Sequence, residues 1–330
     1  MSCVLRILLA IASGVLLMPL DASAQAAARV YRIGVLDMTS PDLSSPIQMA
    51  FYEELRKRGY VEGQNLVVER RNAAGQIDRL PTLAGELVAL RPDLIVASAP
   101  QPSRAVKDAT STIPIVMMFV ADPVRLGLVA NLARPGANLT GVATLVPGGF
   151  MAKMLDLLHQ VVPKATRFAV LVNPANEMMR ILAAQEIPDA ARKLGIQVQI
   201  VEARTPDELE PAFNAAVRER AEALLANADA VWGSPPALLP QLVARTGLPA
   251  IYLVRAQVLA GGLMSYGPDF VELSRRGAGY VDLILKGAKP GDLAIEQPTK
   301  FDLVINLKTA KTLGITIPQS LLQSATEVIQ

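Results

Sequence analysis

Among its 330 residues the chain has one cysteine, one histidine and one tryptophan, and aromatic residues make up only 4% of it. Each scarcity removes a class of chemistry. Cys3 precedes the first apolar run, so the remainder has no thiol for a disulfide, a cysteine zinc site or a nucleophile. His159 sits in a helical stretch whose apolar face is Met154, Leu157, Leu158 and Val161, and it reads as a packing or surface histidine. There is no phosphate-cradling glycine loop, no dinucleotide fingerprint and no His/Cys metal spacing. Gly262-Leu263-Met264-Ser265-Tyr266-Gly267 only superficially resembles a nucleophile elbow. The reading is a non-enzymatic protein without cofactor or metal, with a hydrolase using His159 or a carboxylate as the residual alternative.

Excess charge is also missing. The net charge is +2, and Arg70-Arg71 and Arg275-Arg276 are pairs rather than a basic stripe. Nucleic-acid binding needs a clustered positive footprint, and single-strand binding needs stacking aromatics; neither is present.

The N-terminus carries a recognisable leader. Met1–Arg6 is weakly basic, Ile7–Leu20 is almost wholly apolar but short for a membrane span, and Ala22-Ser23-Ala24 is a small-x-small cleavage pattern. This predicts a signal peptide over residues 1–24 and a soluble periplasmic protein, with an uncleaved anchor as the alternative. Cys3 lies before the apolar run, where it cannot serve as a lipid attachment site at its end.

Beyond residue 28 two periods alternate. Short β-rich runs fall at 31–36, 66–70, 94–97, 113–119, 168–172, 198–201, 223–225 and 250–253. Between them apolar residues recur three and four apart, as in Ile47, Ala50, Phe51 and Leu55, or Leu80, Leu83, Leu87 and Leu90. Continuous apolar strands alternating with amphipathic helices predict parallel sheets covered on both faces. The order occurs twice, starting at Ile33-Gly34-Val35-Leu36 and again at Phe168-Ala169-Val170-Leu171. The prediction is an α/β protein of two doubly wound parallel-sheet lobes; one large domain is the alternative. Gly277-Ala278-Gly279, inside a helical pattern, predicts close helix packing.

Ligands of such sheets sit beyond the carboxyl ends of the strands, and the candidate residues follow from that rule. Asp37, Ser98 with Ala99, Phe119 with Ala121 and Asp122, Asn173 with Asn176, Asp229 and Tyr266 all fall at strand ends. Gln101-Pro102-Ser103 opens a helix after Ser98, and hydroxyls with main-chain N–H groups at a helix start suit a carboxylate. Plainer readings accompany several of them. Asp122 before Pro123 also reads as a helix cap, Ser103 as a cap, Asp229 as a solvated loop aspartate and Tyr266 as a hinge-packing residue.

Several segments, taken in order, resemble the family of ABC-transporter substrate-binding proteins with the type I periplasmic binding protein fold, in particular the group that includes tryptophan- and tyrosine-transport components. They include Glu54-Leu55-Arg56-Lys57-Arg58-Gly59-Tyr60-Val61-Glu62-Gly63-Gln64-Asn65, Leu132-Ala133-Arg134-Pro135-Gly136-Ala137-Asn138-Leu139-Thr140-Gly141-Val142, Gly261-Gly262-Leu263-Met264-Ser265-Tyr266-Gly267-Pro268 and Gln297-Pro298-Thr299-Lys300-Phe301, with shorter matches at 109–116, 122–124 and 304–311. The resemblance runs from about Tyr31 to Ile329. It implies three interlobe crossings, near 140–144, 252–259 and 298–304. Lobe 1 then takes 30–141 and 260–298, and lobe 2 takes 142–259 and 299–330, joined by a multi-strand hinge. It further implies a monomeric carrier of an amino acid or related small carboxylate, delivering to an inner-membrane ABC permease; a sensory protein presenting its ligand to a receptor is the alternative. In the implied capture cycle Ser98, Ser103 and the amides around Ala121 hold the ligand carboxylate, and Asn173, Asn176, Asp229 and Tyr266 close over it. The chain departs from the family at Asp37-Met38-Thr39-Ser40-Pro41, at Trp232 and at Leu259.

Overall fold

A computed structural model describes residues 29–40, 42–145, 148–227, 229–233 and 235–330. The expected signal peptide, and within the loops Pro41 and Ala228, lie outside the described residues.

The apolar runs become strands because most are buried on both faces, the half-buried edge run Leu66–Asn72 excepted. In the first lobe these are β1 (Tyr31–Asp37), β2 (Leu66–Asn72), β3 (Leu94–Ser98), β4 (Ile115–Val120) and β5 (Leu139–Ala143). They form one parallel sheet in the order β2-β1-β3-β4-β5. The intervening helices are α1 (Pro46–Lys57), α2 (Leu80–Ala89) and α3 (Pro100–Ala109). Ser45 caps α1 by accepting from the Gln48 N–H, and Pro46 opens its first turn.

The second lobe is built from α4 (Phe150–Val161), β6 (Arg167–Val172), α5 (Glu177–Leu194), β7 (Gln197–Glu202), α6 (Leu209–Arg218), β8 (Ala223–Ala226), α7 (Leu238–Thr246), β9 (Ala250–Tyr252), α8 (Arg255–Leu259) and β10 (Met264–Gly267). Its strands repeat the first order as β7-β6-β8-β9-β10. Then α9 (Phe270–Leu285) returns to the first lobe. The chain ends with β11 (Asp302–Asn306), α10 (Leu307–Thr312), α11 (Gln319–Ser324) and β12 (Glu327–Ile329). β11 pairs antiparallel with β10 and parallel with β12, which completes a seven-stranded sheet.

The return of α9 is fixed by packing and by one ionic knot. Leu273, Ala278, Val281 and Ile284 share a core with Ile33, Phe51 and Leu55 on one face of the first sheet. Buried Asp282 accepts from the Tyr60 hydroxyl at 2.9 Å and pairs with Arg58 at 3.1 Å and Lys286 at 2.8 Å. At Gly277 a Cβ would lie 2.8 Å from the Met118 Cε, so α9 packs closely on the sheet there, as that glycine predicts.

The lobe boundaries differ from the expectation in two places. Residues 260–267 were expected in lobe 1, yet β10 hydrogen-bonds between β9 and β11 in the second sheet. The second crossing therefore lies between Gly267 and Phe270, not at 252–259, where β9 and α8 belong to lobe 2. The apolar run 263–265 has the same pattern in either sheet, so sequence period alone could not assign it. Likewise Leu139–Ala143, expected in part as a crossing, is a buried strand of the first sheet.

One backbone contact shapes the far end of this sheet. The β4–β5 register shifts between Met117 and Val120, and Gly141 opposite has φ +138°, with the Met117 carbonyl where a Cβ would sit. Gly141→Ala is expected to cost about 3 kcal/mol of stability. Gly59→Ala, at φ +91° but with open space around it, is expected to cost about 1 kcal/mol. Denaturant unfolding of the two variants checks the ranking; equal losses would show that the pinch at Met117 carries no energy.

Candidate ligand-binding site

In both sheets the strand order reverses direction of growth between the first and third strands, and a crevice opens there at the carboxyl ends. The two crevices face each other across a cleft of about 290 Å³. Eight of the expected residues line it: Asp37 at the end of β1, Ser98 at the end of β3, Ala99, Gln101, Phe119, Ala121, Asn176 and Asp229. The first six come from lobe 1 and the last two from lobe 2.

Local backbone strain aims the first-lobe wall. Ala99 precedes α3 with φ +83°, and Phe119 at the β4 irregularity has φ +59°. Positive φ is unfavourable for residues with a Cβ, and such strain concentrates where side chains are being aimed. Phe119 meets Phe270, the first residue of α9, with ring centroids 5.5 Å apart. Asp269 caps that helix by accepting from the Val271 and Glu272 N–H groups, which holds Phe270 at the cleft.

Asp37 is the unusual group. It is only 7% exposed, and its carboxyl is pushed up to about 6. Burial is the main cause, opposed by the Ser98 hydroxyl and, through space, by Arg70. Arg70 is otherwise engaged: it forks onto Glu62 at 2.6 and 2.7 Å and lies 5.0 Å over the Tyr52 ring.

Asp229 is built differently. Its carboxylate accepts from Asn173 Nδ2 at 3.0 Å, Asn176 Nδ2 at 2.8 Å and the Val231 N–H at 3.0 Å. Buried Trp232 pins the loop from below, its indole N–H donating to the Asn227 carbonyl and its main-chain N–H to that of Asp229. Trp232 is thus the support of this corner rather than part of its lining. Gly233 follows because a Cβ there would lie 2.9 Å from the Asp229 carbonyl oxygen.

Four expected residues fall outside the cleft lining. The Ser103 hydroxyl turns inward and donates to the Ala97 and Ala99 carbonyls. Asp122 caps the turn that follows, accepting from the Arg125 N–H. Asn173 lies beneath the surface and orients Asp229. Tyr266 packs against both Phe150 and Phe301, at 5.8 and 5.6 Å. The helix-start site for a carboxylate is also poorer than its sequence suggests. Pro100 and Pro102 carry no N–H, and the Ser103 N–H already bonds the Ala99 carbonyl. Gln101 is then the one main-chain donor of the first three helical positions. Its side-chain amide is buried at the cleft with neither oxygen nor nitrogen hydrogen-bonded.

Sequence reasoning missed the apolar half of the lining, chiefly Met38, Met178, Met179, Leu253 and Phe270, with Gln48, Thr144 and Gln257 among the polar groups. A signal existed. Met178 and Met179 follow the capping residue Asn176, and Phe270 follows Asp269. The first turn of a helix that starts at a strand end faces the same crevice as the strand end itself.

Two doubly wound sheets that present one cleft at facing switch points define a two-lobed solute-binding protein. The comparisons agree: residues 32–329 match the ABC transporter substrate binding protein family, and the chain belongs to that family. It is 26% identical over 283 residues to a tyrosine-binding protein of Clostridioides difficile, covering 86% of this chain and 81% of that one. Among solved structures it is similar to a conserved domain protein from Vibrio cholerae (TM-score 0.83, 28% identity). It is also similar to an ABC domain from Streptococcus pneumoniae in complex with L-Trp (TM-score 0.81, 27% identity). Each alignment covers 91% of this chain and 100% of the other.

The raised Asp37 carboxyl has a stability consequence. Its folded value of about 6 exceeds the ordinary 3.8, so the folded state holds a proton that the unfolded state releases between those values. Stability is then lost as pH rises through that window, by about 3 kcal/mol in full. Asp37→Asn is expected to raise the melting temperature of the ligand-free protein near pH 8 but to change it little near about pH 4. Thermal melts at both values check this; a variant destabilised equally at both would refute it.

Proposed function

We propose that this chain is the solute-capturing component of an ABC importer, exported from the cytoplasm and acting as a monomeric carrier in the periplasm. Its solute is an amino acid or a related small organic compound, held between the lobes and handed in the closed form to an inner-membrane permease. The observation that carries this reading is the cleft, since its walls come from both lobes and a solute bound there links them. Closure about the crossings then couples binding to shape, which is what a permease can read. Family membership and the amino-acid ligands named for the similar proteins support the solute class. Among the described residues no helix is long and apolar enough to cross a membrane, in keeping with a carrier that follows export.

A thermal-shift screen of the purified protein against amino acids, small carboxylates and aromatic acids tests the capture step. A true solute at about a hundred times its Kd stabilises the fold by about 2.7 kcal/mol. Phe119→Ala is expected to abolish that shift while leaving the ligand-free melting temperature within a few degrees. Deleting the gene is expected to abolish high-affinity uptake of the same solute by cells. Unchanged uptake with intact binding would refute the importer role alone.

A further inference from the structure

We propose that the charged group this cleft recognises is an ammonium rather than a carboxylate, so that its solute is an arylalkylamine-type cation: one protonated amine on a short chain bearing an apolar, aromatic-sized body. The inference rests on the reading of the cleft as the solute site and narrows its ligand class.

The charge inventory is one-sided. Among the described residues the lining carries Asp37, Asp42 and Asp229, and no lysine, arginine or histidine. Asp42 stands at the exposed rim, where its carboxylate accepts from the Ser44 N–H and hydroxyl. Asp37 is buried and has no cation against it. The groups around it are Gln48 and Tyr52 of α1, Arg70 of β2, Ser98 of β3, Phe119 of β4 and Ser274 of α9. Only Arg70 is charged, and its fork is spent on Glu62. A buried carboxylate without a counter-ion is costly to keep ionised, and a ligand ammonium supplies the missing partner.

The anion side of the cleft is weak by comparison. A carboxylate entering it finds one main-chain N–H in the opening turn of α3, neutral hydroxyls and amides, and the negative field of Asp37 and Asp229. The buried Gln101 amide, with both its polar atoms unpartnered, can meet a neutral polar substituent of the ligand. The body of the solute meets Met38, Met178, Met179, Phe119 and Phe270. These are soft and aromatic side chains that also favour a cation held near them.

Calorimetric titration of the purified full chain with matched probes decides the matter: tryptophan against tryptamine, tyrosine against tyramine, phenylalanine against phenethylamine, and indole-3-propionate as an acid without the amine. Each amine is expected to bind about tenfold or more tighter than its amino acid, and the acid not to bind. Asp37→Asn, which keeps the shape and one acceptor oxygen but removes the charge, is expected to remove the advantage of the amines. In the unmodified protein, amine affinity is expected to rise as pH passes upward through about 6, where Asp37 ionises. In Asp37→Asn that profile is flat. The pH profile of the unmodified protein needs no variant, so the test survives a poorly folding substitution. Amino acids binding as tightly as their amines, with a flat pH profile, would overturn the inference and leave the capture role standing. No binding of any amino acid, amine or acid would overturn both.

Discussion

The first sheet cannot be covered by the sequence that forms it, and most of the architecture follows from this. Its contiguous stretch supplies α1 for one face and α2 with α3 for the other. The remaining apolar surface of β4 and β5 is met by α9, from far along the chain, through Leu273, Ala278 and Val281. The chain therefore leaves the first lobe, builds most of the second and comes back, and its last segment leaves again to add β11 to the second sheet. Three crossings result, and neither lobe is a unit that can be cut out by a single break.

The crossings are themselves packed together. Phe150 begins the helix after the first crossing, Tyr266 ends the strand before the second, and Phe301 lies in the third. Their rings form one three-ring cluster, with centroids 5.4 to 5.8 Å apart. Backbone continuity is added by Glu296, whose N–H donates to the Gly141 carbonyl while its own carbonyl accepts from the Ala143 N–H. Aromatic contacts of this kind hold the crossings in register. That placement explains why Tyr266, which has the strand-end position of a ligand residue, belongs to the joint.

Strand positions were legible because burial on both faces writes a continuous apolar run into the sequence, and the ends of β1, β3, β6 and β8 were read to within a residue or two. The two-lobe repeat was legible for the same reason. Side-chain direction was not. Ser103 and Ser98 are equally small and polar, yet a helical turn places the hydroxyl of Ser103 against the Ala97 and Ala99 carbonyls, out of the cleft. Asn173 and Asn176 sit three apart, and both end up donating to Asp229, but only Asn176 also reaches the cleft lining. Assignment of 260–267 failed because pairing partners, unlike burial, leave no local mark. The apolar lining went unread because Met178, Met179 and Phe270 have the composition of ordinary core residues.

The cleft spends stability in two ways that packing alone does not require. Ala99 and Phe119 hold unfavourable backbone angles, and Asp37 is buried where its charge is disfavoured. A stable sheet terminus needs neither, since a glycine would relieve the angles and an asparagine the charge. Both costs fall at the carboxyl ends of neighbouring strands, on the same wall of one cavity. The second lobe shows the contrast: Asp229, also buried, is fully provided with three N–H donors from its own loop and from Asn173 and Asn176. One wall is thus internally satisfied and the other is not. An unsatisfied wall gains most from an incoming polar partner, and here that wall is the one on lobe 1.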